Sequence, residues 1–257
     1  MTIPFTKAHG ARNDFLLSWT HELPHLDPRA GAIAICDRHT GVGADGWMLI
    51  DRDGPRIRLI NSDGSDSEIS GNGTRCAAAL LVDTGLAGER VVIQTGAGEK
   101  RLWLKRREGR KFEFEMDMGR PEVREEIELE GYSAVAMWVG NPQCALICDE
   151  IPSDWVERGR RLESHPRWPN RSNISFVRAI DRHTVEARFY ERGAGWTMSS
   201  GTGSTGAAFA AMHKGLVEPP LTVLTEAGPL AFREESGSLL LTGPAELTAR
   251  GEFYLPE

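Results

Sequence analysis

The sequence predicts a mixed α/β fold of two related, strand-rich halves with about one substantial helix in each, and three observations carry that prediction. First, Ser70 to Gly98 aligns without a gap on Ser200 to Gly228, at a constant offset of 130. Second, each copy opens on a run of branched and aromatic residues, RIRLI (56–60) and TVEARFY (184–190). The latter alternates apolar Val185, Ala187 and Phe189, as a half-buried strand does. Third, each run leads through a loop to a glycine-rich turn and an alanine-rich helical stretch, SGNGTRCAAALL (70–81) and SGTGSTGAAFAAM (200–212).

The remaining elements follow in order. Gly85 and Gly215 stand where a helix ends on a left-handed residue. ERVVIQT (89–95) and LTVLTEAG (221–228) read as the next strands. KFEFEMDM (111–118) alternates strictly, the pattern of an antiparallel strand with one wet face. SDWVERGRRLES (153–164) reads as a further helix, with Ser153 as its N-cap. A repeat of this length reads as two domains rather than a solenoid. The boundary is placed at Gly119–Glu126, where GRPEVREE breaks the alternation. The expected domains are 1–119 and 120–246, with a last strand at about 247–257 returning to the first.

Composition narrows the function. With 257 residues, 40% hydrophobic and 26% charged, the chain is an ordinary globular protein with ample core. A net charge of -7 argues against nucleic acid or an anionic membrane as partner. The start, MTIPFTKAHGARND, has no apolar signal region, and no apolar run is long enough to span a bilayer. A cytoplasmic protein is expected. Cys36, Cys76, Cys144 and Cys148 form no C-x-x-C pair, and Cys76, inside a helical run, reads as a small buried apolar residue. The seven histidines show no metal-ligand spacing, so no metal is expected.

The two glycine-rich helix starts carry the chemistry. A helix N-terminus offers unpaired N–H groups and a positive dipole end, and glycine lets a ligand approach the backbone. Taken alone, each Gly-x-Gly is a tight turn. The duplication and the polar neighbours point to a ligand site, two mouths serving one interdomain cleft. Those neighbours are Asn61 before one mouth, Glu191 and Arg192 before the other, GNPQ (140–143), NRSN (170–173), and Asn13 with Asp14.

The motifs FTKAHGARNDF (5–15), CDRHTGVGADG (36–46), NSDGSDSEISGNGTRC (61–76), VGNPQC (139–144), ERGAGWTMSSGTGS (191–204) and LTGPAELTARGEFYL (241–255) together resemble the diaminopimelate epimerase family, in order along the whole chain. The resemblance implies two pseudo-symmetric α/β domains, each a mostly antiparallel sheet or barrel around a central helix. It implies an isomerase that needs neither pyridoxal phosphate nor any other cofactor. Its substrate class is LL- and meso-diaminopimelate, on the way to lysine and peptidoglycan precursors. The implied partner is a small amino-acid substrate, with a homodimer as the assembly considered. Asn13, Asn61, Asn141, Asn173, Glu191 and Arg192 match ligand-contacting positions of the family. Gly71, Asn72, Gly201 and Thr202 match the two mouths that hold the α-carboxylate.

Ser70 and Ser200 match the two catalytic positions, where the family has cysteine. Gln143 stands where the family usually has histidine, and Trp196 where glutamate is expected. A hydroxyl of pKa about 15.7, like water, is about 7 units less acidic than a thiol near 8.5, roughly 10 kcal/mol. A helix dipole supplies at most about 2 kcal/mol. A serine therefore needs a neighbouring base, and Gln143 cannot take a proton. Glu191 is the base the sequence offers, beside Ser200. Three readings stand: an epimerase with Ser70 and Ser200 as its acid–base pair, a homologue with Glu191-based chemistry in the same cleft, and a binding protein without catalysis.

Overall fold

A computed structural model describes residues 2–255. The chain divides into two compact units, Met1–Met116 with Pro244–Glu257, and Asp117–Gly243.

The first unit holds β1 (Thr2–Gly10), β2 (Asn13–Trp19), α1 (Pro28–Cys36), β3 (Gly46–Asp51), β4 (Arg56–Asn61), β5 (Asp66–Ser67), α2 (Gly71–Asp83), β6 (Arg90–Thr95), β7 (Gly98–Glu108) and β8 (Lys111–Asp117). The second holds β9 (Glu122–Leu129), β10 (Tyr132–Trp138), β11 (Pro142–Ile147), α3 (Trp155–Glu163), β12 (Asn173–Asp181), β13 (Thr184–Glu191), β14 (Gly195–Thr197), α4 (Gly201–His213), β15 (Leu221–Thr225) and β16 (Gly228–Glu235). The long β17 (Ser238–Tyr254) begins in the second unit and ends in the first.

In the first unit the pairings run β1–β2–β3–β4–β6–β7–β8–β17 and return to β1, an eight-stranded barrel. The β2–β3 and β4–β6 pairs are parallel. In the second, β9 to β13 and then β15 to β17 pair in the same sequence, with β11–β12 and β13–β15 parallel. Reciprocal bonds of 3.0 Å between Leu239 and the Met118–Gly119 segment bring the row round to the chain just before β9.

An eight-stranded ring has a narrow interior, so the helix it wraps must be slim. The sequence supplies that: α2 is buried from Gly71 to Leu81 with Ala77, Ala78 and Ala79 at its middle, and α4 is buried at Ala207, Ala208, Ala210 and Ala211. A helix without a polar face has to be buried all round. The two helices span the same register, Gly71–Asp83 and Gly201–His213, offset by 130. Gly85 (φ 73) and Gly215 (φ 70) end them in the left-handed region.

The other two helices cover the barrels from outside. Ala32, Ile35 and Cys36 of α1 join Trp47, Leu49 and Ile60 in one apolar cluster. Leu162 of α3 joins Leu146, Ile174 and Phe176 in another. Two sequence expectations need correction. α1 has no counterpart in the sequence reading, although Asp27 caps it, accepting from Arg29 N at 3.1 Å, and Pro28 opens it. The N-cap of α3 is Asp154, not Ser153, and its carboxylate makes no cap bond but holds Arg158 at 2.8 Å one turn on. No helix among the described residues is long and apolar enough to cross a membrane.

Candidate functional site

Both mouths are built by the same local code. Ser70 and Ser200 are extended (φ -124 and -134), and each Oγ accepts from the N–H three residues on: Gly73 N at 3.1 Å and Gly203 N at 2.9 Å. Each serine is therefore a helix N-cap. Gly71, Asn72, Gly201 and Thr202 form the first turns, whose backbone donors have no partner within the helix and favour an anion. Glycine at the third position is a steric requirement in α4, while in α2 the close atom is the mobile end of a methionine. A Cβ on Gly203 would lie 2.8 Å from Ser200 Oγ and 2.8 Å from Phe189 Cδ1, and one on Gly73 would lie 2.7 Å from Met48 Cε.

A side-chain amide braces each mouth. In the first unit Asn72 Nδ2 donates to Asn13 Oδ1 (3.2 Å), and Asn13 Nδ2 donates to Asp45 Oδ2 (2.6 Å). In the second, Gln143 Nε2 donates to Thr202 Oγ1 (3.1 Å) and Asn141 Oδ1 (2.8 Å), and Asn141 Nδ2 reaches Thr202 Oγ1 at 3.3 Å. Asn13 and Gln143, like Asn72 and Thr202, are offset by the same 130 positions. Asn173 ties loops together: its Nδ2 donates to Pro142 O (2.7 Å), and its Oδ1 accepts from Arg192 N (2.9 Å). Arg192 is half-buried, and its Nη1 reaches Asn170 O at 3.4 Å.

Symmetry breaks at one pair. Glu191 and Asn61 occupy equivalent ends of β13 and β4. Ser200 Oγ donates to Glu191 Oε1 at 2.6 Å, while Thr197 Oγ1 donates to Oε2 at 2.9 Å. In the first unit Asn61 turns its Nδ2 to Ser65 Oγ (3.0 Å), a loop-bracing bond. An amide there cannot take a proton. The hydroxyl of Ser200 thus has its oxygen on a helix N–H and its proton on a carboxylate, the geometry of a nucleophile or relay with its base. Ser70 has the first half of that arrangement.

The cysteines cannot substitute. All four are buried and free. Burial pushes Cys36, Cys76 and Cys144 up to about 12 and Cys148 to about 11, so none supplies a thiolate near neutral pH. Trp196 is exposed and donates its ring N–H to Glu226 Oε2 at 2.8 Å. Among the described residues no group of three or more His, Cys, Asp or Glu is placed to hold a metal ion.

The first unit thus contains Asn13, Asn61, Ser70, Gly71 and Asn72, and the second contains Asn141, Gln143, Asn173, Glu191, Arg192, Ser200, Gly201 and Thr202. The sequence reading missed Thr197, Asp45 and Arg75. Thr197 could have been found from its place two residues before a recognised serine pair. Asp45 meets Asn13 across 32 positions, which no local pattern announces, whereas Arg75 lies one turn past Gly71 and Asn72 and could have been found from that spacing.

Comparison with known proteins gives the family and the fold. The diaminopimelate epimerase family pattern matches residues 5–123 and 135–248. A diaminopimelate epimerase of Pelotomaculum thermopropionicum is 34% identical over 274 residues, covering 97% of this chain and 98% of the relative. One from Pseudomonas syringae pv. syringae is 36% identical over 282 residues, covering 99% and 100%. Among solved structures, a hydroxyproline epimerase from Agrobacterium vitis superposes with a TM-score of 0.75 at 15% identity, over 100% of this chain and 93% of that one. A Bacillus anthracis phenazine biosynthesis protein of the PhzF family gives 0.72 at 16% identity, over 99% and 100%. These two likenesses concern the fold.

Proposed function

The chain belongs to the diaminopimelate epimerase family, and we propose that it binds an amino acid of the diaminopimelate class and moves its α-proton through Ser200 and Glu191. The observation that carries this reading is the 2.6 Å bond from Ser200 Oγ to Glu191 Oε1 at the mouth of α4. The backbone donors at Gly201 and Thr202 receive the substrate carboxylate. As the Cα–H bond breaks, its proton passes to Ser200 Oγ while the serine proton passes to Glu191. The α-carbanion is left beside a carboxylate held at a positive helix end. Reversal returns a proton to the same face, and Glu191 exchanges with solvent meanwhile. Asn141, Gln143, Asn173 and Arg192 shape the pocket at the α4 mouth, and Asn13, Asn61, Gly71 and Asn72 belong to the α2 mouth.

Interconversion of LL- and meso-diaminopimelate, the lysine-pathway reaction of the family's name, requires a proton from the opposite face. In the family that task belongs to the position that Ser70 matches, and here its unit has Asn61 where the other has Glu191. Exchange should therefore outrun inversion.

The test is α-deuterium uptake from LL- and meso-diaminopimelate in deuterated water, for wild type, Ser70→Ala, Ser200→Ala and Glu191→Gln. We expect uptake by wild type and Ser70→Ala, and a fall of at least ten-fold in the other two. Uptake indifferent to Glu191 and Ser200 would sink the proposal. Rapid inversion that is lost in Ser70→Ala would favour the two-serine epimerase.

A further inference from the structure

Arg75 is fully buried one turn into α2, and the oxygens it meets are all uncharged. Its Nε donates to Pro244 O (3.1 Å), Nη1 to Gly71 O (3.3 Å) and Nη2 to Asn72 Oδ1 (2.5 Å). A buried cation without a carboxylate beside it is a costly placement, and burial pulls its pKa down to about 10.

From this guanidinium a chain of bonds runs outward. Asn72 Nδ2 donates to Asn13 Oδ1, and Asn13 Nδ2 donates to Asp45 Oδ2. Asp45 Oδ1 in turn accepts from Arg38 Nη2 at 2.8 Å, and Arg38 also grips both oxygens of Asp14, at 3.2 and 2.7 Å. The chain links residues far apart in sequence, from β2, the loop before β3 and the first turns of α2.

Its polarity is fixed at both ends. A guanidinium can only donate and a carboxylate can only accept, whereas an asparagine amide can do either by turning over. Arg75 obliges Asn72 to present Oδ1 inward, which points Nδ2 at Asn13. Asp45 obliges Asn13 to present Nδ2 to it, which turns Oδ1 to Asn72. Both amides are thus held in one orientation, and one amide hydrogen of Asn13 is left without an acceptor among the described residues. The α4 mouth has no such device. Thr202 can donate or accept, and Gln143 Oε1 is buried with no partner.

We infer that Arg75 and Asp45 are positioning residues, the donor-only and acceptor-only ends of a relay that locks the amides of Asn72 and Asn13 so that Asn13 offers an N–H to a ligand carboxylate. The ligand part of this inference rests on the proposed function; the locking does not. Because either end alone sets the polarity, losing one leaves the orientation intact, and losing both frees it.

The experiment uses the full chain with 15N-labelled asparagine, as wild type, Asp45→Asn, Arg75→Met and the double variant. Side-chain NH2 signals of Asn13 and Asn72 are followed by NMR without ligand, and the Kd for meso-diaminopimelate by calorimetry. We expect one set of signals in wild type and both single variants, and two sets in the double variant. The Kd should change less than three-fold in each single variant and at least ten-fold in the double. One set of signals in the double variant, or fold-changes that simply multiply, would overturn the relay. If the Arg75 variants do not fold, Asp45→Leu decides. With Arg75 still fixing Asn72, loss of the terminal acceptor must leave one set of signals for Asn72 and for Asn13, and a second set for either refutes the relay. Failure of wild type to bind meso-diaminopimelate would count against the proposed function, while the NMR result would still decide the locking.

Discussion

A hydroxyl that caps a helix commits an oxygen lone pair to a backbone N–H and still has a proton to place. At Ser200 that proton goes to Glu191; at Ser70 the equivalent carboxylate is an asparagine turned to Ser65. Replacing either serine by cysteine exchanges one property for the other. The thiol is a poorer acceptor, so each of Ser70→Cys and Ser200→Cys should cost about 1 kcal/mol of stability as a weakened cap. It is also more acidic by several units, further favoured by the helix N-terminus. The native thiols are buried, so wild type should show no rapid reaction with a thiol-specific disulfide reagent near neutral pH. Ser70→Cys, at a half-buried position, should gain one fast thiol, whereas Ser200→Cys, at a buried position beside the Glu191 carboxylate, should gain none. The double variant should also take up α-deuterium at least ten-fold faster than wild type and gain inversion, because both serine positions then carry an acid. A double variant no faster than wild type would show that acidity at these positions is not what limits proton transfer.

The central helices can be read from sequence because their ends and their slimness are local properties. Ser-Gly-x-Gly opens each, a glycine at positive φ closes each, and small residues between them allow burial inside a ring. That local code makes a contrast testable within α4. A Cβ at Gly203 would meet Ser200 Oγ and Phe189 at 2.8 Å, whereas at Gly206 the nearest atoms, Gln143 Cβ and Met137 Sδ, stand at 3.6 Å. Gly203→Ala should therefore cost about 1–3 kcal/mol as overpacking and abolish exchange by displacing Ser200. Gly206→Ala should add up to about 1 kcal/mol as a helix-interior alanine. Urea unfolding of both variants checks this, and equal effects would refute the steric account. The outer helix α1 escaped the sequence reading because GAIAI carries the branched residues of a strand, and only Asp27-Pro28 marks the helix start. The site was legible in part for the same reason. Serines and glycines at a mouth announce themselves. Asn13 and Asp45 meet through a contact spanning 32 positions, and Asn72 reaches Asn13 across 59, so no local pattern reveals what they brace.

Chain connectivity sets the two units apart. The second, Asp117–Gly243, is one continuous stretch that contains all its own strands except the rest of β17. The first needs the C-terminal residues from Pro244 onward. There β17 pairs with β1 from Glu246 opposite His9 to Tyr254 opposite Thr2, and Leu247 N donates to Arg110 O at 3.0 Å beside β8. Ending the chain at Gly243 would leave β1 and β8 with unpaired edges. It would remove the buried Ala245 and Leu247, take Arg250 from Asp83, and deprive the buried guanidinium of Arg75 of its bond to Pro244 O. A buried donor left unmade costs about 1–3 kcal/mol by itself, more when charged, and a barrel missing one strand of eight loses closure as well. The strand pairs of the second unit, including Ser238 opposite Glu235 and Thr242 opposite Ala231, survive the cut. Hydrogen exchange on a chain of residues 1–243 should therefore show protection kept through β10 to β16 and lost through β1 to β7. Protection of β1 to β7 equal to that of the full chain would mean that the first barrel holds without its closing strand, and would refute this account of what that strand does.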